Sequence, residues 1–319
     1  MTAYDVFNGD ADGICALVQL RQVEPREAQL VTGVKRDINL LKRVSANPAD
    51  CVTVLDVSLD KNREDLQRLL EEGAEVFYCD HHYAGEIPDH SALQTLINPA
   101  PEVCTSLLIN GHLKGARAAW AVVGAFGDNL RESARRAAAP LGLDEALLAR
   151  YEDLGIYINY NGYGSALEDL HFRPEELYRL LLPHADPRGF MEDGREHFQR
   201  LEQGYQADMA AAASLAPLHA TDHAAVFLLP DEPWARRVSG VYSNDLANEN
   251  PGRAHAVVTH RASGNYQVSV RAPLENRVGA DELCRQFPTG GGRSAAAGIN
   301  ELPPESLQDF VDALLRFYR

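Results

Sequence analysis

Four apolar runs in this chain stop at a carboxylate or an imidazole, and that placement limits what it can fold into. Glu75-Val-Phe-Tyr-Cys79 runs straight into Asp80-His81-His82. Tyr4-Asp-Val-Phe7 is followed by Asp10 and Asp12, and Cys51-Val-Thr-Val-Leu55 by Asp56. The apolar helical stretch 120–126 leads into Gly127-Asp128-Asn129. Unpaired charge beside a core is costly. Buried strands that end this way make sense where several ends converge on shared cations. Carboxylate oxygens with imidazole nitrogen suit a pair of manganese or similar divalent ions.

The first hundred residues alternate between strand and helix patterns. Strands are expected at 4–7, 28–33, 51–57 and 75–79. Helices are expected at 12–23 and 61–72, the latter with Leu66, Leu69 and Leu70 on one face and Gly73 closing it. Residues 38–44 also show helical spacing. Such alternation implies βαβ units and a parallel sheet, and ligands of these sheets bind beyond the carboxyl ends of the strands. Asp10, Asp56 and Asp80 fall at those ends. Residues 104–160 read as mostly helical, interrupted by turns at 124–129 and 159–164. A helix at 195–215 is expected to connect two domains, stopped by Pro217. Strands at 224–229, 255–260 and 266–271 follow, the last two joined by a Ser263-Gly264-Asn265 hairpin turn. Helices at 280–286 and 305–318 complete the chain. The predicted class is α/β: an N-terminal parallel-sheet domain over 1–190, a connecting helix over 191–218 and a smaller α+β domain over 219–319.

Composition narrows the function. The chain has 319 residues, 45% hydrophobic and 24% charged, as in a soluble globular protein. No apolar run is long enough to cross a bilayer, and no signal peptide precedes the first strand. Five scattered cysteines without a C-x-x-C pair read as reduced thiols of a cytoplasmic protein, with no membrane partner. The net charge is −16; residues 1–218 carry 20 basic and 34 acidic groups, and residues 219–319 carry 10 and 12. A protein that tracks long nucleic acid shows a basic footprint. This balance argues against long duplex DNA and for short, locally gripped phosphoesters.

Asn8-Gly-Asp-Ala-Asp-Gly13, Leu55-Asp-Val-Ser58, Asp80-His-His82 and Gly127-Asp-Asn129 resemble the four ordered motifs of DHH phosphoesterases. Gly290-Gly-Gly-Arg-Ser-Ala-Ala-Ala-Gly298 resembles the glycine motif of the DHH-associated C-terminal domain. One such motif is weak; five in order across nearly the whole chain are specific. That family includes oligoribonucleases, cyclic-dinucleotide phosphodiesterases, single-strand exonucleases and polyphosphatases. The resemblance implies a phosphodiesterase that uses two divalent cations, Mn2+ or Mg2+, on short oligonucleotides or dinucleotides. The metal ligands it implies are Asp10, Asp12, Asp56, His81 and Asp128, with Asp56 bridging. Asp80 would hold local geometry and His82 face the substrate phosphate. Asn8, Arg271, Gly290, Gly291, Gly292 and Arg293 would bind substrate. The chain departs from many relatives in carrying Val6 where they place a histidine, and Arg293 where they place another. An arginine can grip phosphate with two parallel hydrogen bonds but cannot shuttle a proton at neutral pH. Two alternatives stay open: a phosphatase for a small phosphomonoester, and an inactive nucleotide sensor. A homodimer is compatible with the sequence.

Overall fold

The computed structural model describes residues 2–261 and 263–319. The chain divides into two compact units, one of residues 1–162 and 166–202, the other of residues 163–165 and 203–319.

The first unit is built on strands β1 (Ala3–Phe7), β2 (Gln29–Val31), β3 (Cys51–Leu55), β4 (Glu75–Asp80) and β5 (Leu93–Ile97). They form one all-parallel sheet in the order β2-β1-β3-β4-β5. The chain leaves β1 toward one side and, after β2, returns to the other side of β1. The carboxyl ends of β1 and β3 therefore flank the point where the winding reverses, the place where open sheets of this kind bind ligands. Its helices are α1 (Ala11–Val23), α2 (Arg63–Glu71), α3 (Thr105–His112), α4 (Ala118–Gly127), α5 (Arg131–Ala138), α6 (Glu145–Asn161), α7 (Pro174–Leu181) and α8 (Pro187–Glu192). Alternate strand residues Val6, Val52, Val54, Val76 and Tyr78 pack with Leu66, Leu69 and Leu70 of α2 on one face. Helix α4 is buried along residues 120–127, as an all-apolar helix must be. Buried Arg21 ties α1 to the sheet, donating to both oxygens of Asp5 at 2.8 and 2.5 Å and to the Thr53 hydroxyl at 3.0 Å.

Helix α9 (Arg195–Ala213) contains the change from one unit to the other. The second unit has β6 (His219–Ala220), β7 (Ala224–Leu228), β8 (Ala254–His260), β9 (Tyr266–Arg271), β10 (Gly290–Arg293) and β11 (Ala296–Leu302). Their order is β10-β11-β9-β8-β7-β6, with β7 and β8 parallel and the other pairs antiparallel. Helices α10 (Pro233–Glu249), α11 (Ala280–Cys284) and α12 (Leu307–Phe317) belong to it. Its core joins Val226, Val258, Val268 and Val270 to Phe310 and Leu314.

The α/β class and the parallel sheet agree with the sequence reading. Several local expectations do not. Residues 38–44 form only a single tight turn, Leu41–Arg43. There the Asn62 side chain accepts from Leu41 N–H and donates to the Ile38 carbonyl, so the backbone is satisfied without a helix. The expected turn at 124–129 is helix through Gly127, and the one at 159–164 is helix through Asn161. The glycines there allow contact, not turning: a Cβ on Gly127 would lie 2.3 Å from Ala11 Cβ and 2.7 Å from the Gly155 carbonyl. Strands β5, β10 and β11 and helix α10 were not anticipated.

Candidate metal centre

Three strand ends and one helix end deliver the acidic groups. Asp10 is the N-cap of α1, its Oδ1 accepting from Gly13 N–H at 3.1 Å. Asp12 does not cap the helix but faces inward from the first turn of α1. Its two oxygens accept from the backbone N–H groups of Thr105 and Ser106, each at 2.7 Å. Those are the first residues of α3, so the positive end of a second helix dipole holds this buried carboxylate. Asp56 directly follows β3, caps no helix, and sits at φ +58°. Asp128 is the last half-turn of α4. Asp10, Asp12, Asp56 and Asp80 are all buried.

His81 stands at the centre. Its Nδ1–H donates to the Val103 carbonyl at 3.0 Å, which directs Nε2 at the carboxylates. Nε2 lies 3.4 Å from Asp56 Oδ1 and 3.9 Å from both Asp12 Oδ2 and Asp128 Oδ2. A backbone-anchored imidazole presenting its other nitrogen to carboxylates is the arrangement of a metal-ligating histidine. The ligand atoms of Asp12, His81 and Asp128 lie within 4.8 Å of one another, as do those of Asp56, His81 and His82. His82 turns differently. Its Nδ1 is 2.7 Å from Asp80 Oδ1 and its side chain is 44% exposed.

The electrostatics describe a site short of positive charge. Burial raises the Asp56 carboxyl well above the usual range, and the neighbouring charges of Asp10 and Asp12 raise it further. Burial lifts Asp128 to about 6. Burial opposes the charged form of His81, yet its contact with Asp56 and the surrounding carboxylates push it up to about 10. For Asp10, burial again favours the neutral acid, but the Lys35 ammonium and the Gly13 N–H outweigh it and leave the carboxyl below its ordinary value. The donor set, carboxylate oxygens with one imidazole, fits a hard or borderline divalent ion. Two buried acceptor oxygens, Asn8 Oδ1 and Asp80 Oδ2, have no hydrogen-bond partner among the described residues.

The sequence reading missed several groups here. Lys35 Nζ is 2.5 Å from Asp10 Oδ2 and 2.9 Å from Asn159 Oδ1. Thr105 Oγ1 reaches Asp56 at 3.4 Å, and Val103 positions His81. A signal for Lys35 exists: it follows β2, whose carboxyl end lies on the same edge of the sheet as Asp10. Asn8 is buried beside it, its Nδ2 donating to the Lys35 carbonyl at 3.3 Å.

In the second unit, Arg271 ends β9 and donates to Asn244 Oδ1 at 2.8 Å. Burial, and then the nearby Arg293, lower its pKa. Arg293 and Arg271 both register opposite Ala296 of β11, one on each side of it. Neither forms an ion pair among the described residues. The glycine motif is not a loop: Gly290, Gly291 and Gly292 lie in the edge strand β10. A Cβ on Gly290 would lie 1.8 Å from the Cys284 carbonyl, while at Gly291 nothing lies within 4 Å.

No family model matches the chain, and no curated protein matches it. Among solved structures it is similar to the exonuclease RecJ bound to manganese, with a TM-score of 0.67 and 18% identity over 99% of this chain and 90% of that one. RecJ from Thermus thermophilus in complex with Mn2+ gives 0.66 and 19% over 99% of this chain, which spans 52% of that RecJ. A pGpG-specific phosphodiesterase, PggH from Vibrio cholerae, gives 0.58 and 16% over 100% of this chain and 99% of that one. At these identities the likeness shows a shared fold. Among the described residues no helix is long and apolar enough to cross a membrane.

Proposed function

We propose that this chain is a DHH-type, metal-dependent phosphodiesterase acting on short oligonucleotides or dinucleotides. The observation that carries the reading is that His81 Nε2 faces Asp12, Asp56 and Asp128 at the carboxyl edge of a parallel sheet, their ligand atoms falling into two groups that share His81, with more buried acid than the protein's own cations neutralise. The fold shared with a manganese-bound exonuclease and a pGpG-specific phosphodiesterase supports it. So does the placement of four ordered sequence motifs around the carboxyl edge of the first unit's sheet.

Asp12, Asp56, His81 and Asp128 would hold one divalent cation, manganese by preference, and Asp10 with Asp56 would bound a second position. A cation bound there supplies Lewis-acid polarisation of a phosphoryl oxygen and lowers the pKa of water. The remaining work falls to the chain's side chains. Asp80 fixes the His82 ring through Nδ1, so His82 Nε2 meets a phosphoryl or leaving oxygen and can hold a proton there. Val103 fixes the His81 ring, and α3 fixes Asp12, so neither moves as charge develops. Arg271 and Arg293 carry two positive charges without carboxylate partners among the described residues, which suits binding of a substrate phosphate. The acidic composition favours a short substrate.

Manganese-dependent assays on linear dinucleotides, cyclic dinucleotides, short RNA and DNA and small phosphomonoesters test this. The expected result is cleavage of a diester to mononucleotides. Turnover of monoesters alone, or binding of nucleotides without turnover, would replace the reading with a phosphatase or a sensor.

A further inference from the structure

Asp10 differs from the other carboxylates of the centre. Among the described residues it is the member of the cluster that already pairs with an ammonium. Lys35 Nζ lies 2.5 Å from its Oδ2, and its Oδ1 accepts from Gly13 N–H at 3.1 Å. Both oxygens are therefore engaged. Asp12, by contrast, is held by neutral backbone N–H groups, and Asp56 and Asp128 face an imidazole. Asp10 is also outside both groups of converging ligand atoms. Lys35 is itself fixed: Asn159 Oδ1 accepts from the same ammonium at 2.9 Å, and the Lys35 carbonyl accepts from Asn8. Its side chain is only 22% exposed.

We propose that Lys35 is a built-in competitor for the second cation, so that the two cation positions differ strongly in affinity. The inference rests on the metal-dependent reading above. At the position around His81, bounded by Asp12, Asp56 and Asp128, the Lys35 charge reaches Asp128 through space, but the direct ammonium contact, at 2.5 Å, is to Asp10. At the position bounded by Asp10 and Asp56, a cation must displace the ammonium from Asp10. A tethered ammonium acts at the effective concentration of an attached group, on the order of millimolar or above, and it is never washed away. One manganese ion per chain binds in the resting protein, and the second binds only at much higher concentration. Lys35 is in this sense a positioning residue, holding Asp10 and Asn159 in place while one cation is bound.

The test is manganese binding itself, by calorimetry and by loss of the free-ion paramagnetic resonance signal, on chelator-stripped protein. Wild type should show one tight and one weak site. Lys35→Met removes the ammonium and keeps much of the stem; the weak site should tighten at least tenfold. The tight site should change far less, since Lys35 acts on Asp128 only through space; its persistence also reports that the variant is folded. Lys35→Arg keeps a cation and should keep the inequality. Two equal sites in wild type, or no tightening in Lys35→Met, overturns the proposal while leaving a metal-dependent enzyme. If no manganese binds to the wild type, the reading of the site as a metal centre falls with it.

Discussion

Asp56 sits at φ +58°, a backbone conformation that costs a residue with a side chain on the order of 1–3 kcal/mol. Its carboxyl is also buried beside Asp10 and Asp12, which holds its pKa above the unfolded value. Both costs are borne at the residue that would bridge two cations. Asp56→Asn keeps a side chain that tolerates this conformation and removes the charge. In excess chelator it should melt higher than wild type; a gain on the order of 1 kcal/mol corresponds to about 2–4 °C. It should also lose nearly all manganese-dependent turnover. A variant that melts lower in chelator and keeps its rate would make Asp56 a structural residue. The raised values of His81 and Asp128 fix a pH dependence as well. His81, at about 10, is protonated in the metal-free protein at neutral pH, so a cation that takes its Nε2 must release that proton. Apparent manganese affinity should rise at least about tenfold per pH unit between 6 and 8, since the His81 proton alone gives that slope and any proton released by the raised Asp56 carboxyl adds to it. Below about 6, Asp128 is also protonated and the slope should steepen. Calorimetric titrations at a series of pH values would measure this. A flat profile would mean that His81 is not displaced.

At the scale of elements, the strand ends were legible because apolar runs and charge coincide there. Asp10, Asp56 and Asp80 follow short, almost continuously buried apolar runs, and the parallel sheet puts them on one edge. Lys35 was missed although it follows β2, because it sits in a connection without periodicity and its partner Asp10 is distant in sequence. Glycine misled the reading in both units. In α4 and α6 it permits helices to touch, as at Gly127 and Gly155, and it does so without ending the helix. In β10 it permits an edge strand to pass against α11. Position-by-position demands differ there, so Gly290→Ala should destabilise the protein by about 1–3 kcal/mol, as overpacking does, because its Cβ would overlap the Cys284 carbonyl. Gly291→Ala meets open space and should leave the melting temperature within about 1 °C. If Gly291→Ala nevertheless weakens substrate binding, that position is a ligand surface. Equal melting of both variants would contradict the described strand. Half-exposed β5 was missed because edge strands need no clean alternation of apolar residues.

The whole molecule carries a net charge of −16, and most of the excess acid lies in the first 218 residues. Long polyanions are repelled by such a field, over about 8 Å at physiological salt, whereas a dinucleotide presents few charges and would need only a few local contacts. Efficient cleavage should therefore be confined to substrates of roughly two to five nucleotides; fast, processive digestion of long single strands would contradict this. The presence of a parallel sheet followed by a second sheet of mixed type was readable from the strand patterns. The break within α9 was not, because a continuous helix gives no local signal of where packing changes partners. The most direct measurement of the central claim is the initial rate of dinucleotide cleavage by chelator-stripped protein as manganese is added back. The rate should be near zero without metal and recover fully with manganese, with mononucleotides as the product. Full turnover in excess chelator, with removal of metal verified by elemental analysis, would contradict it.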